Sequence, residues 1–224
     1  MHFVFSQVSQ FFYNPTCLCC GSFFVEDHLF CAHCFDKKIG PRLELKKNNL
    51  SIGISPYSIF DWKPGESDLL SELVYRMKSD RCRRAWNFYG QLAIRALKYE
   101  IDLSQIDYVV PVPGSKKSSV HGSIFSQIVA DLIQKPVLDI LVKKTLVNEL
   151  KEQKTKSASE REQSTIQICE QFTNQGICSI LQDCSILAVD DIVTTGSSFK
   201  QVLDLLGGAR ETLFLSLFYR TKNH

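Results

Sequence analysis

Asp190 and Asp191 stand side by side at the end of an apolar run in "ILAVDDIVTTGSS", with Thr194, Thr195, Gly196, Ser197 and Ser198 close behind. Two adjacent carboxylates repel each other unless something draws on both. The vicinal 2′- and 3′-hydroxyls of a ribose do so, because each can donate to a charged acceptor. The hydroxyl- and glycine-rich turn opens a helix, where free backbone N–H groups and the helix dipole hold a phosphate. Acidic pair, turn and helix together suit a ribose and its 5′-phosphate. The plainer alternative, that Asp191 and Thr195 only cap the helix, does not account for so dense a set of matching features.

A second constellation lies near the start. "CLCCGSFFVEDHLFCAHC" holds Cys17-x-x-Cys20 and Cys31-x-x-Cys34, two turns that bring four thiolates to one tetrahedral Zn²⁺. Gly21 follows the first pair, where such a turn favours a residue without a Cβ. So few residues build no core of their own, and the metal would supply the folding energy. Cys19 is surplus to this scheme, and His28 and His33 are not needed as ligands. The alternatives are fortuitous thiols or a redox pair. A closed Cys₄ site is structural.

The remaining residues must position these two groups. The chain has 224 residues, 44% of them apolar and 22% charged, with a formal net charge of +2. That length allows one good-sized core and a small appendage, and the charge does not by itself predict nucleic-acid binding. No apolar run is long enough to span a membrane, so a soluble protein without stable membrane insertion is expected. The opening "MHFVFSQVSQFFYNPTC" lacks a basic region and a small-residue cleavage site, so no signal peptide is read there. Phe3, Val4, Val8, Phe11 and Phe12 fall near helical spacing, as a packing helix or, without any Lys or Arg, a weaker membrane anchor. Nine cysteines, an odd count, argue against a disulfide framework and for a reducing, cytoplasmic setting.

"LSIGISPYSIF" alternates like a strand or hairpin, after a polar linker broken at Gly40-Pro41. Leu69, Leu70, Leu73, Val74 and Met77 have helical spacing behind Ser67 or Asp68 as a cap. "RAWNFYGQLAIRALKYE" is a second helix with Trp86 and Tyr89 on its apolar stripe, and "IFSQIVADLIQ" a third. "IDYVVPVP" reads as a short strand that ends at Pro111, "KPVLDILVKK" as a strand plus its exit, and "CSILAVDD" and "RETLFLSLFYR" as strands; "TLVNELKEQKTKSASEREQST" reads as a mobile loop or a solvated helix. Strands alternating with helices imply an α/β fold, a mostly parallel sheet covered on both faces. The organisation expected is an N-terminal helix and Cys₄ zinc-finger module over 1–45, then a single domain over 46–224.

"ILAVDDIVTTGSS" resembles the phosphoribosyl-pyrophosphate signature of the type I phosphoribosyltransferases. A cysteine knuckle, "PVP" after a strand and this signature, in that order, resemble the ComF family of phosphoribosyltransferase-like proteins, associated with DNA uptake in natural transformation. Lys78 matches that family's helix ending in "lK", and Gln153 and Arg161 match the Gln and Arg of its mobile segment. The resemblance implies a type I phosphoribosyltransferase-like domain binding phosphoribosyl pyrophosphate or a related sugar phosphate with Mg²⁺, and cytoplasmic partners that include single-stranded DNA and a DNA-uptake helicase. If it is a transferase, a nitrogen nucleophile displaces pyrophosphate from the anomeric carbon. Asp190 and Asp191 would hold the ribose, Thr194 to Ser198 the phosphate, and Lys116 and Lys117 would face the pyrophosphate unless they are a solvated loop. Arg161 is the candidate catalytic residue, on a segment that could close as a lid. The chain departs from the family at His121-Gly122, where Arg-Gly is expected, and at Ser164, where Asn is expected; these departures touch transfer rather than sugar-phosphate binding. A binding protein without catalysis is the rival reading, with Arg76, Lys78, Arg81, Arg83 and Arg84 beside Trp86 and Tyr89 either lining a single-stranded DNA groove or forming the polar face of a core helix.

Overall fold

The computed structural model describes residues 16–63, 68–79, 82–114, 121–145, 164–173 and 181–221. Strands β2 (Tyr57–Trp62), β3 (Tyr108–Pro111), β6 (Ser185–Val193) and β7 (Glu211–Arg220) are rich in β-branched, aromatic and leucine residues and largely buried. Such runs demand cover on both faces, and they assemble as the parallel part of one sheet. Its order is β1-β2-β7-β6-β3, with β1 (Lys46–Lys47) antiparallel at one edge. Beyond β3 the segment at Val137 adds a single parallel bridge to Val109. Strands β4 (Leu141–Thr145) and β5 (Ser164–Ile168) form a separate antiparallel ribbon.

Three helices cover one face: α1 (Leu69–Ser79), α2 (Arg83–Leu97) and α3 (His121–Ile133). Their buried stripes, Leu70, Leu73 and Met77, then Trp86, Tyr89 and Leu97, then Phe125 and Val129, share one core with Leu187, Val189 and Leu215 of the sheet. The opposite face is covered by α5 (Ser197–Leu205) through Phe199 and Val202, with Ile140, Leu141 and Ile166 of the ribbon region. A short helix, α4 (Glu170–Thr173), follows the ribbon. The strands β3 and β6 are adjacent, yet α3 after β3 lies on one face and α5 after β6 on the other. Their carboxyl ends therefore flank a topological switch point, the place where open α/β sheets bind ligands.

The mostly parallel α/β sheet with helices on both faces is as expected, and so are α1, α2, α3 and α5. Four local readings are corrected. β6 does not stop at the acidic pair but runs on to Val193, because it stays paired with β7 as far as Val193↔Tyr219. The strand expected at the start of "KPVLDILVKK" is only a single bridge at Val137, with Leu138 donating to Val109, and its end is not just an exit but the first residues of β4. The end of the long polar stretch belongs to β5, which the polar composition hid. The stretch after Cys34 is no open linker, because helical turns over Phe35–Ile39 and Gly40–Arg42 carry Ile39 fully into the core. The N-terminal helix over 1–12, Gln153 and residues 146–163 lie outside the described residues.

Candidate functional site

The acidic pair sits where β6 passes the carboxyl end of β3. Pro111 pairs with Val189, and Val112 donates its N–H to the Val189 carbonyl at 2.9 Å. The loop leaving β3 thus starts one residue from Asp190. The N-terminus of α3 closes in from the helical side; a Cβ on Gly122 would lie 3.5 Å from Asp190 Oδ1, and Ser126 Oγ donates to the Val189 carbonyl at 3.3 Å.

The strand is locally irregular at the pair. Leu187 and Val189 belong to the core beneath α1–α3, and Ile186 and Ala188 to the opposite core. After the two aspartates the assignment inverts, with Ile192 packing in the first and Val193 in the second. Each aspartate feeds a neighbouring backbone donor: Asp191 N donates to Asp190 Oδ1 at 2.8 Å, and Ile192 N to Asp191 Oδ1 at 2.9 Å.

The two carboxylates consequently have different surroundings. Asp190 is half-buried and lines a depression with Ile192, Val193, Thr194, Gly196, Ser197, Ser198 and Phe199, about 230 Å³ of empty space partly open to solvent. Burial, and next the charge of Asp191, push the Asp190 carboxyl well above the usual carboxylate range. Asp191 is buried and ion-paired to Lys78 at the end of α1, with Nζ 2.7 Å from Oδ2. The expectation of two carboxylates facing one crevice is refined: Asp190 lines the depression, and Asp191 is held from the α1 side. A magnesium ion coordinated directly by both does not fit this arrangement.

The hydroxyl-rich turn is built as its composition suggests. Gly196 has φ +76°, in the left-handed region, and precedes the first residue of α5. Thr194, Thr195 and Ser197 are exposed and Ser198 half-buried, with Ser197 N donating to Thr195 Oγ1 at 3.4 Å. Lys200 is turned along the helix to Asp204 at 2.6 Å. The turn at 50–54 backs the loop: a Cβ on Gly196 would collide with Leu50 and lie 3.0 and 3.1 Å from Ile54 and Ile52. The sequence reads this apolar turn as part of a strand or hairpin and gives no sign that it backs the loop. Lys78 was legible as a position, but nothing in the sequence identified Asp191 as its partner. Lys116, Lys117 and Arg161 lie outside the described residues.

The base-stacking alternative is corrected by burial. Trp86 and Tyr89 are fully buried, with Trp86 Nε1 donating to the Met77 carbonyl and Tyr89 Oη to the His28 carbonyl. Neither ring can stack on a base while α2 stays in place.

The four cysteine thiols Cys17, Cys20, Cys31 and Cys34 converge, all within 4.8 Å of one another. A zinc tetrahedron with Zn–S of about 2.3 Å has edges of about 3.8 Å, and Cys20 Sγ lies 3.8 Å from Cys31 Sγ. Burial raises the Cys17 thiol, but backbone N–H groups of Cys31, Cys20 and Cys19 outweigh it and bring it down to about 6, as suits a metal thiolate. Burial, then the neighbouring thiols, push the Cys34 thiol up. Gly21 takes φ +72° in the first turn, as expected. The set fits a zinc ion. The module is wedged against α2: His28 stacks on Phe35 at 4.1 Å and meets Phe88 edge-on at 4.9 Å. Leu29, Phe30, Ile39 and two of the cysteines join the core beneath α1–α3.

Among the described residues no helix is long and apolar enough to cross a membrane. No protein-family model matches the chain, and no curated protein matches it. Solved structures with a similar layout include adenine phosphoribosyltransferase from Saccharomyces cerevisiae, complexed with an iminoaltritol bisphosphate and adenine, at 19% identity and TM-score 0.40, covering 81% of this chain and 86% of that one. A purine phosphoribosyltransferase from Pyrococcus horikoshii Ot3 has 16% identity and TM-score 0.36 over 61% of this chain and 84% of that one. A hypothetical protein from Neisseria gonorrhoeae with bound ppGpp has 10% identity and TM-score 0.38 over 63% and 69%. Likenesses at this level carry no weight for the site, which stands on this chain's own geometry.

Proposed function

We propose that the chain binds phosphoribosyl pyrophosphate or a closely related ribose 5-phosphate. The observation that carries this reading is the contiguity of Asp190 with the turn Thr194–Ser198 around one depression at the switch point. The exposed hydroxyls and backbone N–H groups at the start of α5 would take the phosphate. Asp190 would accept from one ribose hydroxyl, and Asp191 from the other, beside Lys78. The Cys₄ cluster would hold a structural zinc that fixes the N-terminal module against α2. Mg²⁺ would enter with the pyrophosphate that chelates it. The resemblance of the motif order to the ComF family supports placing this binding in DNA uptake or processing, with a phosphoribosyl transfer to an acceptor as its enzymatic form.

The test is a calorimetric titration of phosphoribosyl pyrophosphate with Mg²⁺ into zinc-loaded protein, repeated with Asp190→Asn/Asp191→Asn. Stoichiometric binding that the double variant loses supports the reading. No heat of binding to the wild type overturns it.

A further inference from the structure

An adjacent pair of aspartates is chemically ambiguous. It can hold a divalent cation, which wants negative charge and oxygen ligands, or a diol, which wants hydrogen-bond acceptors. The surroundings of this pair decide between them. Two of its four carboxylate oxygens accept a backbone N–H, Asp190 Oδ1 from Asp191 and Asp191 Oδ1 from Ile192, and a third, Asp191 Oδ2, is ion-paired to the Lys78 ammonium 2.7 Å away with no hydrogen bond of its own.

We propose that Lys78 determines ligand specificity at the pair: by holding Asp191 in an ion pair it closes the site to divalent cations and leaves it to a neutral hydroxyl-bearing ligand. The inference deepens, and rests on, the reading of the pair as a sugar site.

The physical basis is charge. A cation on Asp191 would sit about 2.1 Å from a carboxylate oxygen, and Lys78 Nζ is already 2.7 Å from Oδ2 of that group. Two like charges so close on one buried carboxylate repel, because the burial of Asp191 weakens screening on its side. Asp191 is 8% exposed, so neither charge can retreat into water without the carboxylate losing its partner. Burial and the Asp191 charge also favour the neutral form of Asp190, which removes the second anion a metal would need. A hydroxyl suffers none of this. It donates to a carboxylate lone pair and can accept from the ammonium at once. Lys78 needs to move little to admit it, and its side chain is 36% exposed.

Mn²⁺ is the probe, because it prefers oxygen ligands and does not compete for thiolates. The zinc-loaded protein is titrated without any sugar phosphate, and free Mn²⁺ is followed by electron paramagnetic resonance at neutral and mildly alkaline pH. Wild type is expected to take up no Mn²⁺ at the pair, and Lys78→Arg, which keeps the charge, to behave the same. Lys78→Gln is expected to bind one Mn²⁺ at least about tenfold more tightly than wild type, and to lose it again when Asp191→Asn is added. Circular dichroism checks that each variant is folded. One Mn²⁺ bound by the wild type and lost in Asp191→Asn overturns the proposal, and that outcome needs no Lys78 variant to fold. A folded Lys78→Gln that gains no Mn²⁺ at either pH also overturns it. Ribose 5-phosphate is titrated in parallel: if wild type binds neither sugar phosphate nor Mn²⁺ while Lys78→Gln gains Mn²⁺, the sugar reading fails and the role of Lys78 in excluding cations stands.

Discussion

Replacing Gly196 by alanine should cost about 2–5 kcal/mol of folding stability, although the change adds one methyl group beside an open depression. Two contributions make up that figure. Gly196 has φ +76°, a conformation that costs a residue with a Cβ about 1–2 kcal/mol. The new methyl also points into Leu50, with Ile54 at 3.0 Å and Ile52 at 3.1 Å. Overpacking of that kind costs about 1–3 kcal/mol. Leu50 alone could swing aside, but all three neighbours sit on one tight turn, with Gly53 N donating to the Leu50 carbonyl and Leu50 N to the Ile54 carbonyl. They cannot all retreat without opening it. Urea unfolding of zinc-loaded protein, fitted at a common m-value, measures the loss. Ser197→Ala, at the exposed next position, is the control and should stay within about 0.5 kcal/mol of wild type. A Gly196→Ala protein within that same margin would refute both the left-handed turn and its apolar backing.

Two further outcomes are expected. Cys17→Ser with Cys20→Ser should abolish stoichiometric zinc, read by atomic absorption, and lower the thermal midpoint; equal zinc in variant and wild type would sink the cluster assignment. Asp190→Asn should be more stable than wild type at neutral pH. The folded-state pKa of Asp190 lies well above its unfolded value, so between the two values the native state keeps a proton that the unfolded state has lost, and wild-type stability falls as pH rises through that window. The advantage of Asp190→Asn should fade as pH falls below about 3.9, where the unfolded chain too becomes protonated; a constant or inverted difference across that range would show the carboxyl is not raised.

The sequence carried the local rules well. Helical spacing placed α1, α2 and α3, and thiol spacing placed the four cysteines, since both depend on residues close in the chain. The switch from apolar strand to hydroxyl-rich turn was legible for the same reason. What remained hidden depends on distant partners. β6 outlasts its acidic pair because β7 pairs alongside it up to Tyr219, and no local propensity reports that. Lys78 and Asp191 are far apart in sequence and meet only because α1 and β6 share a face. β5, "STIQI", has too little apolar alternation to stand out, and is held by pairing with β4 and by the Gln201 side chain, which accepts from Ile166 N at 2.8 Å.

The cysteine module packs into the same apolar core as α1, α2 and the sheet, and Tyr89 from the middle of α2 clasps the His28 carbonyl inside it. Metal binding and folding are then one equilibrium rather than two. A zinc ion that binds only the native thiol cluster would raise the stability of the whole sheet by RT ln(1 + [Zn]/Kd), so the proposed sugar-phosphate site on β6 would inherit a dependence on free zinc without touching it. The abundance of folded protein would track the metal supply of its compartment. An apparent zinc affinity measured on the apo chain would likewise understate the affinity of the cluster by whatever free energy folding consumes.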